Sequence, residues 1–410
     1  MESNPLYHHL KVHIEPISPI HIGTNTTYEP HQFVIDAKRK KLYYLPEREV
    51  VENVSPFLFN SSDSYLPWRI HRELQRKVDQ LKSKAQIEVE IDDSFLKEYK
   101  KTLKNLTNPS RRNTPVSWKI NQIYRIPRKL RKGILTPYIP GSSFKGALFT
   151  ALGEYWSKKI EKGEIPERAI KELPSLFHLT PPKESASPSD QINKCLLVGD
   201  SIFLKKYQIE AKIGLVGSFH RFDESTKFNH EVYRELWSGG KMVIHLGIKK
   251  KGVCRKKGGE FLLHQFLNQK EFIHALNSHY LPILKQMLEG GEVEVIFYRK
   301  NQNGREEEEV WIYDDYTPDK LTDEFKRRAK KFIEKIENDD SKAPKYALIR
   351  LGHHSHARAV TIEGKRRIKV KHFDGEKEPI LNQETTFAGV KVEGENEKIT
   401  PLGWAFLTFK

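Results

Sequence analysis

One short stretch constrains this chain more than any other: Pro137-Tyr138-Ile139-Pro140-Gly141-Ser142-Ser143-Phe144-Lys145-Gly146-Ala147-Leu148. Proline locks φ and glycine admits φ > 0, so the first half is an irregular turn. Ser142 or Ser143 then stands where a side-chain oxygen caps a helix. From Ala147 onward Leu148, Ala151, Leu152 and Tyr155 recur at helical spacing, and the pattern runs to about Ile160. A loop thus delivers backbone amides, two hydroxyls and Lys145 to a helix N-terminus, where the macrodipole favours an anion such as phosphate. A capped helix alone would explain the same string. It is not a Walker A loop, because Lys145 precedes its glycine, so nucleotide hydrolysis is not indicated.

Charge points the same way. The 410 residues carry a formal net charge of +16, which suits a polyanionic partner. Between Ser94 and Lys132 there are twelve Lys or Arg and one acid, Glu98, with Tyr99, Trp118 and Tyr124 interleaved. Cations along a path with aromatics for stacking are what single-stranded RNA requires. Arg125, Arg128, Lys129, Arg131 and Lys132 are the expected phosphate contacts. Cys195 and Cys254 are the only cysteines, so no disulfide framework is expected and a reducing, cytoplasmic setting is. No run of about 18 apolar residues suggests a membrane span.

The remaining pattern alternates short strands with amphipathic helices and reads as α+β. Leu10, Val12 and Ile14 alternate with Lys11, His13 and Glu15 as a half-buried strand, and a loop with His21 and Gly23 follows. Phe33–Ile35 and Leu42–Leu45 flank a basic hairpin tip that contains Asp36. Helices are expected over Trp68–Leu81, Ser94–Leu106, Phe261–Leu288 and Leu321–Ile336, and strands over Lys212–Arg221 and Lys241–Ile248. Pro174 to Asn193 reads as an exposed loop. Asp200, after the strand at Cys195–Val198, reads as a turn residue that bonds its own backbone. Three histidines in Gly352-His353-His354-Ser355-His356-Ala357-Arg358 invite a zinc reading, but neighbouring His353 and His354 do not converge easily on one ion, and no metal or other cofactor is expected. From Lys345 to Lys371 there are eight basic residues and one acid, which keeps this segment in play as an RNA-facing one.

Ile139-Pro140-Gly141-Ser142-Ser143-Phe144-Lys145-Gly146-Ala147 resembles the signature of RAMP proteins, the RRM-like RNA-binding subunits of CRISPR effector complexes. Ser18-Pro19-Ile20-His21-Ile22-Gly23, Val198-Gly199-Asp200-Ser201 and Pro401-Leu402-Gly403-Trp404 resemble, in order and spacing, the family of fifth subunits of type III-A (Csm) complexes. The resemblance implies two RRM-like (ferredoxin-like) modules with helical and loop insertions, over residues 1–205 and 206–410. It implies an RNA-binding subunit that caps the backbone filament at the 3′ part of the crRNA and contributes to crRNA maturation in antiviral defence. Its partners would be crRNA, other Csm subunits and maturation nucleases. His21, Gly23, Gly141, Ser142, Ser143, Lys145, Gly146, Gly352 and Arg358 would face RNA, and no residue is assigned to catalysis. The alternative is a metal-independent endoribonuclease that uses His21, His356 and Lys145. Asp36 is the nearest candidate for the target-cutting aspartate of the backbone subunits.

Overall fold

The computed structural model describes residues 6–55, 65–107, 120–131, 134–173, 191–203, 210–225, 228–256, 259–301, 303–352, 356–361, 367–370, 379–392 and 398–410. The expected half-buried first strand forms as Tyr7–Pro16 and lies at the centre of an antiparallel sheet. Met242–Lys249 pairs on one side of it and Trp404–Phe409 on the other, and Tyr346–Arg350 extends the second edge. Leu196–Val198 pairs with the far side of Met242–Lys249. With helices Gly141–Glu161 and Gln269–Glu289 this is a β-α-β-β-α-β arrangement, the ferredoxin-like order, closed by Trp404–Phe409.

A second sheet runs Thr27–Tyr28, Ile123–Tyr124, Asn229–Gly239, Glu210–His220, Ile87–Ile91, Lys41–Tyr44, Phe33–Asp36, with Thr386–Lys391 also pairing with Glu210–His220. Both sheets draw strands from either side of residue 205, so the two modules anticipated from the sequence share their strands. A smaller sheet joins Glu306–Asp315, Gly291–Lys300, Ile380–Leu381 and Ile368–Lys369.

The helix that follows the Pro-Gly turn is buried on nearly every side between Leu148 and Ser157, because it packs on the central sheet and on Gln269–Glu289 at once. Trp156 and Trp404 are fully buried in that core. The Phe261–Leu288 expectation divides into a 3-10 turn, Leu262–Phe266, and a helix capped by Asn268, whose side chain accepts from Glu271 N at 3.0 Å. The other expected helices form as Leu66–Arg76 with Val78–Leu81, Asp93–Thr107, and Asp323–Glu337. Most of the loop expected over Pro174 to Asn193 lies outside the described residues.

The cysteines correct one expectation. Cys195 and Cys254 are bonded to each other, with Cα atoms 5.5 Å apart. Leu196 is in register with Ile248, and the turn beyond that strand brings Cys254 back beside Cys195. Counting cysteines could not reveal a pairing made by a strand register, and the pair removes the argument from cysteine usage to a reducing compartment. Among the described residues no helix is long and apolar enough to cross a membrane.

Candidate nucleic-acid interface

The four motif stretches meet in two clasps. In the first, Ser201 and Ile139 bond reciprocally: Ile139 N donates to Ser201 Oγ at 2.7 Å and Ser201 N to Ile139 O at 2.9 Å. Gly141 N donates to Asp200 Oδ1 at 2.7 Å. In the second, Trp404 N donates to Ser18 Oγ at 3.0 Å and Gly403 N to Pro19 O at 2.9 Å. Gly352 completes it with φ +102°, and a Cβ there would stand 2.2 Å from His21 O. Each clasp ties stretches far apart in the chain, so the motifs close the fold as well as line its surface.

The helix N-terminus therefore differs from the expectation. The helix starts at Gly141 with Pro140 as N-cap, and neither Ser142 nor Ser143 caps it. A carboxylate of the chain itself, Asp200, takes the anion position and pairs with Lys129. Asp200 does not serve its own turn. Gly141 is needed for close approach, since a Cβ would lie 2.3 Å from Val198 O. Ser142 and Gly146 remain exposed, and nothing lies within 4 Å of a Cβ added at Gly146.

Lys145 is half-buried and donates to Leu196 O at 2.8 Å. Burial, and then repulsion from Lys249, holds its pKa below the usual lysine value. Lys249 makes no ion pair among the described residues. Two like charges thus share the junction of the helix with strands Leu196–Val198 and Met242–Lys249, neither in an ion pair among the described residues, and a phosphate would relieve that repulsion.

The basic stretch divides between interior and surface. The Arg128 side chain is only 6% exposed and pairs with the fully buried Glu235 carboxylate. Arg128 Nη1 also donates to Leu135 O at 2.9 Å. Glu235 accepts further from Tyr28 Oη at 2.9 Å and Ile126 N at 3.2 Å. Arg128 is therefore engaged in an interior ion pair, the cation that the buried Glu235 carboxylate requires. Arg125 stacks on Tyr28 and Tyr44, its guanidinium carbon 4.7 and 4.6 Å from the ring centres. Lys129 keeps 43% of its side chain exposed beside the Tyr138 ring. Arg131 stands in strand Arg128–Arg131, while its side chain and Lys132 lie outside the described set.

Of the other expected RNA contacts, His21 and Arg358 turn inward. His21 is buried: its Nδ1 bonds Glu235 O at 2.8 Å, and its Nε2 stands 3.1 Å from Arg234 Nη1. Gly23, two residues on, is exposed. Arg358 is 8% exposed, with its backbone N donating to Glu384 Oε2 at 3.1 Å. His353 and His354 lie outside the described residues, as does the His356 side chain, and no metal-binding cluster occurs among the described residues. Asp36 Oδ1 accepts from Lys38 N and Arg39 N at 3.1 Å each, which makes it the turn residue of the hairpin tip.

Sequence reasoning missed Glu235, the acceptor that organises Arg128, Tyr28 and Ile126. Its one signal was a lone acid at an inward position of a strand, Tyr233-Arg234-Glu235-Leu236-Trp237. It also missed that the strand positions opposite the helices bring Tyr7, His9, Lys11, His245 and Lys249 to one face of the central sheet.

Comparison with known proteins adds to this geometry. The chain is 24% identical over 288 residues to the "CRISPR system Cms protein Csm5" of Streptococcus thermophilus, which covers 64% of this chain and 74% of that protein. Its fold is similar to a chain in a cryo-EM structure of a Csm-crRNA-target RNA ternary complex from a type III-A CRISPR-Cas system. That likeness has a TM-score of 0.52 and 13% identity, over 98% of this chain and 100% of that one. A crystal structure of T. onnurineus Csm5 matches with a TM-score of 0.48 and 14% identity, over 96% and 99% of the two chains. A model of the RAMP superfamily matches residues 13–398. The match takes in both helices of the central sheet and nearly all of the second sheet, leaving out only the start of the first strand and the last strands from Ile399 on, and the chain belongs to the RAMP superfamily.

Proposed function

We propose that this RAMP protein is the Csm5-type RNA-binding subunit of a type III-A CRISPR ribonucleoprotein, with crRNA and other Csm subunits as partners. The observation that carries the reading is the junction of Lys145 and Lys249, an unneutralised pair beside exposed Ser142 and Gly146 in a chain of net charge +16. The curated relative, named Csm5, and the fold likeness to a chain of a Csm-crRNA complex support it. In this reading the protein works in the cytoplasm and caps the backbone filament near the 3′ part of the crRNA. Maturation nucleases act on RNA that it holds. Base pairing by the guide reads sequence, while this subunit reads backbone and shape. No observation favours the endoribonuclease alternative, since His21 is buried between Glu235 and Arg234.

The test is expression of the whole operon, purification through this chain, and sequencing of the RNA recovered. Trimmed, repeat-tagged RNA that co-elutes with several subunits is expected. Purification of the intact chain without RNA or other subunits would overturn the proposal.

A further inference from the structure

The smaller sheet has two faces with opposite fates. Val293, Val295, Phe297 and Leu381 form its buried side, covered by Phe222, which stacks on Tyr313 at 5.1 Å. The register places Ile296 opposite Val310, and Glu294 opposite Ile312, on the other side. Arg367 covers Tyr298 at one end of that side, whereas Val310 is 54% exposed, Ile312 67% and Ile380 38%. Solvent-facing positions of an edge hairpin are ordinarily polar, because contiguous exposed apolar residues favour association.

The charge around this apolar centre is the reverse of the chain's. Glu292, Glu294, Glu308 and Asp314 are exposed on the same face and make no ion pair among the described residues. The cations lie at the opposite end, where Lys300 stands opposite Glu306 and Arg367 covers Tyr298 and pairs with Glu306 at 3.2 Å. Lys369, in register with Ile380, is also at that end. RNA would meet repulsion at the Val310–Ile312 end. A second copy of this chain docked face to face would set these carboxylates against themselves.

We infer that this face docks another protein through a basic surface with an apolar centre. Apolar contact would be made by Val310, Ile312 and Ile296, and the ring of carboxylates would select the partner's charge and orient its approach. The inference stands on the sheet itself and not on the RNA reading, so the two fail separately.

The test places the photo-crosslinker p-benzoylphenylalanine at Ile312 of the full chain, expressed with its operon, and identifies cross-linked peptides by mass spectrometry. A peptide of another protein with Lys or Arg flanking apolar residues is expected. Its yield should fall at least tenfold when Glu292→Lys, Glu294→Lys and Asp314→Lys are combined, and circular dichroism should be unchanged because all three are exposed. Cross-linking to RNA, to a second copy of this chain or to nothing would overturn the inference. So would a yield that ignores the charge reversal, or that is equalled from exposed Val51 on a different surface.

Discussion

Asp200 accepts the first amide of the Gly141–Glu161 helix at 2.7 Å, so a side chain 59 residues away holds the place where a phosphate was expected. The carboxylate also draws Lys129 to the helix start. Asp200→Ala should cost about 1–2 kcal/mol, combining a charge-assisted hydrogen bond with loss of the dipole interaction. The Lys129 pair adds little, because both partners are about a third or more exposed. Urea denaturation measures it, and an unchanged midpoint would show that Asp200 does not hold the clasp.

Gly352 and Gly146 should respond oppositely to the same substitution. Gly352→Ala meets both φ +102° and the His21 carbonyl, and should destabilise by about 2–4 kcal/mol. Gly146→Ala meets open space inside a helix and should be neutral or stabilise by up to about 1 kcal/mol. Equal melting shifts would contradict the close approach.

Arg128 and Lys145 separate stability from RNA binding. Arg128→Ala leaves the Glu235 carboxylate buried without its cation, at a cost of about 3–5 kcal/mol. Lys145→Ala should leave the melting temperature nearly intact but weaken single-stranded RNA binding about tenfold, or about 1.4 kcal/mol. The slope of log affinity on log salt should become shallower by about 0.7. Binding that survives in Lys145→Ala would place the RNA path elsewhere.

His71 makes stability depend on pH. It is fully buried, Nδ1 lies 2.9 and 3.0 Å from Pro30 O and Phe33 O, and Nε2 lies 2.8 Å from Tyr99 Oη. Burial pushes its pKa down from 6.5 to about 4. The unfolded chain therefore takes up the proton first, so this contribution is complete above about pH 6.5 and is lost as pH falls toward 4. Between pH 7 and 4.5 the wild type should lose about 2–3 kcal/mol more than His71→Gln, by denaturant titration at both values. An equal loss would remove His71 from the acid response.

Local signals were legible in the sequence alone. Proline and glycine placed the turn before Gly141, periodicity placed the helices and the alternating first strand, and the motif order pointed to the RAMP family. Tertiary structure decided which polar residues face inward. Arg125, Arg128 and Lys129 lie within five residues of a basic stretch, yet Arg128 is drawn into a buried ion pair while Lys129 keeps much of its side chain in solvent. The reason is Glu235, which the 229–239 strand brings beneath it from 107 residues away. The same holds for His21 under Gly352 and for Cys195 beside Cys254. Charge and spacing along a chain report local propensity, whereas a buried partner is supplied by strand pairing. The cost of burying a charge then selects the one orientation in which that partner is met.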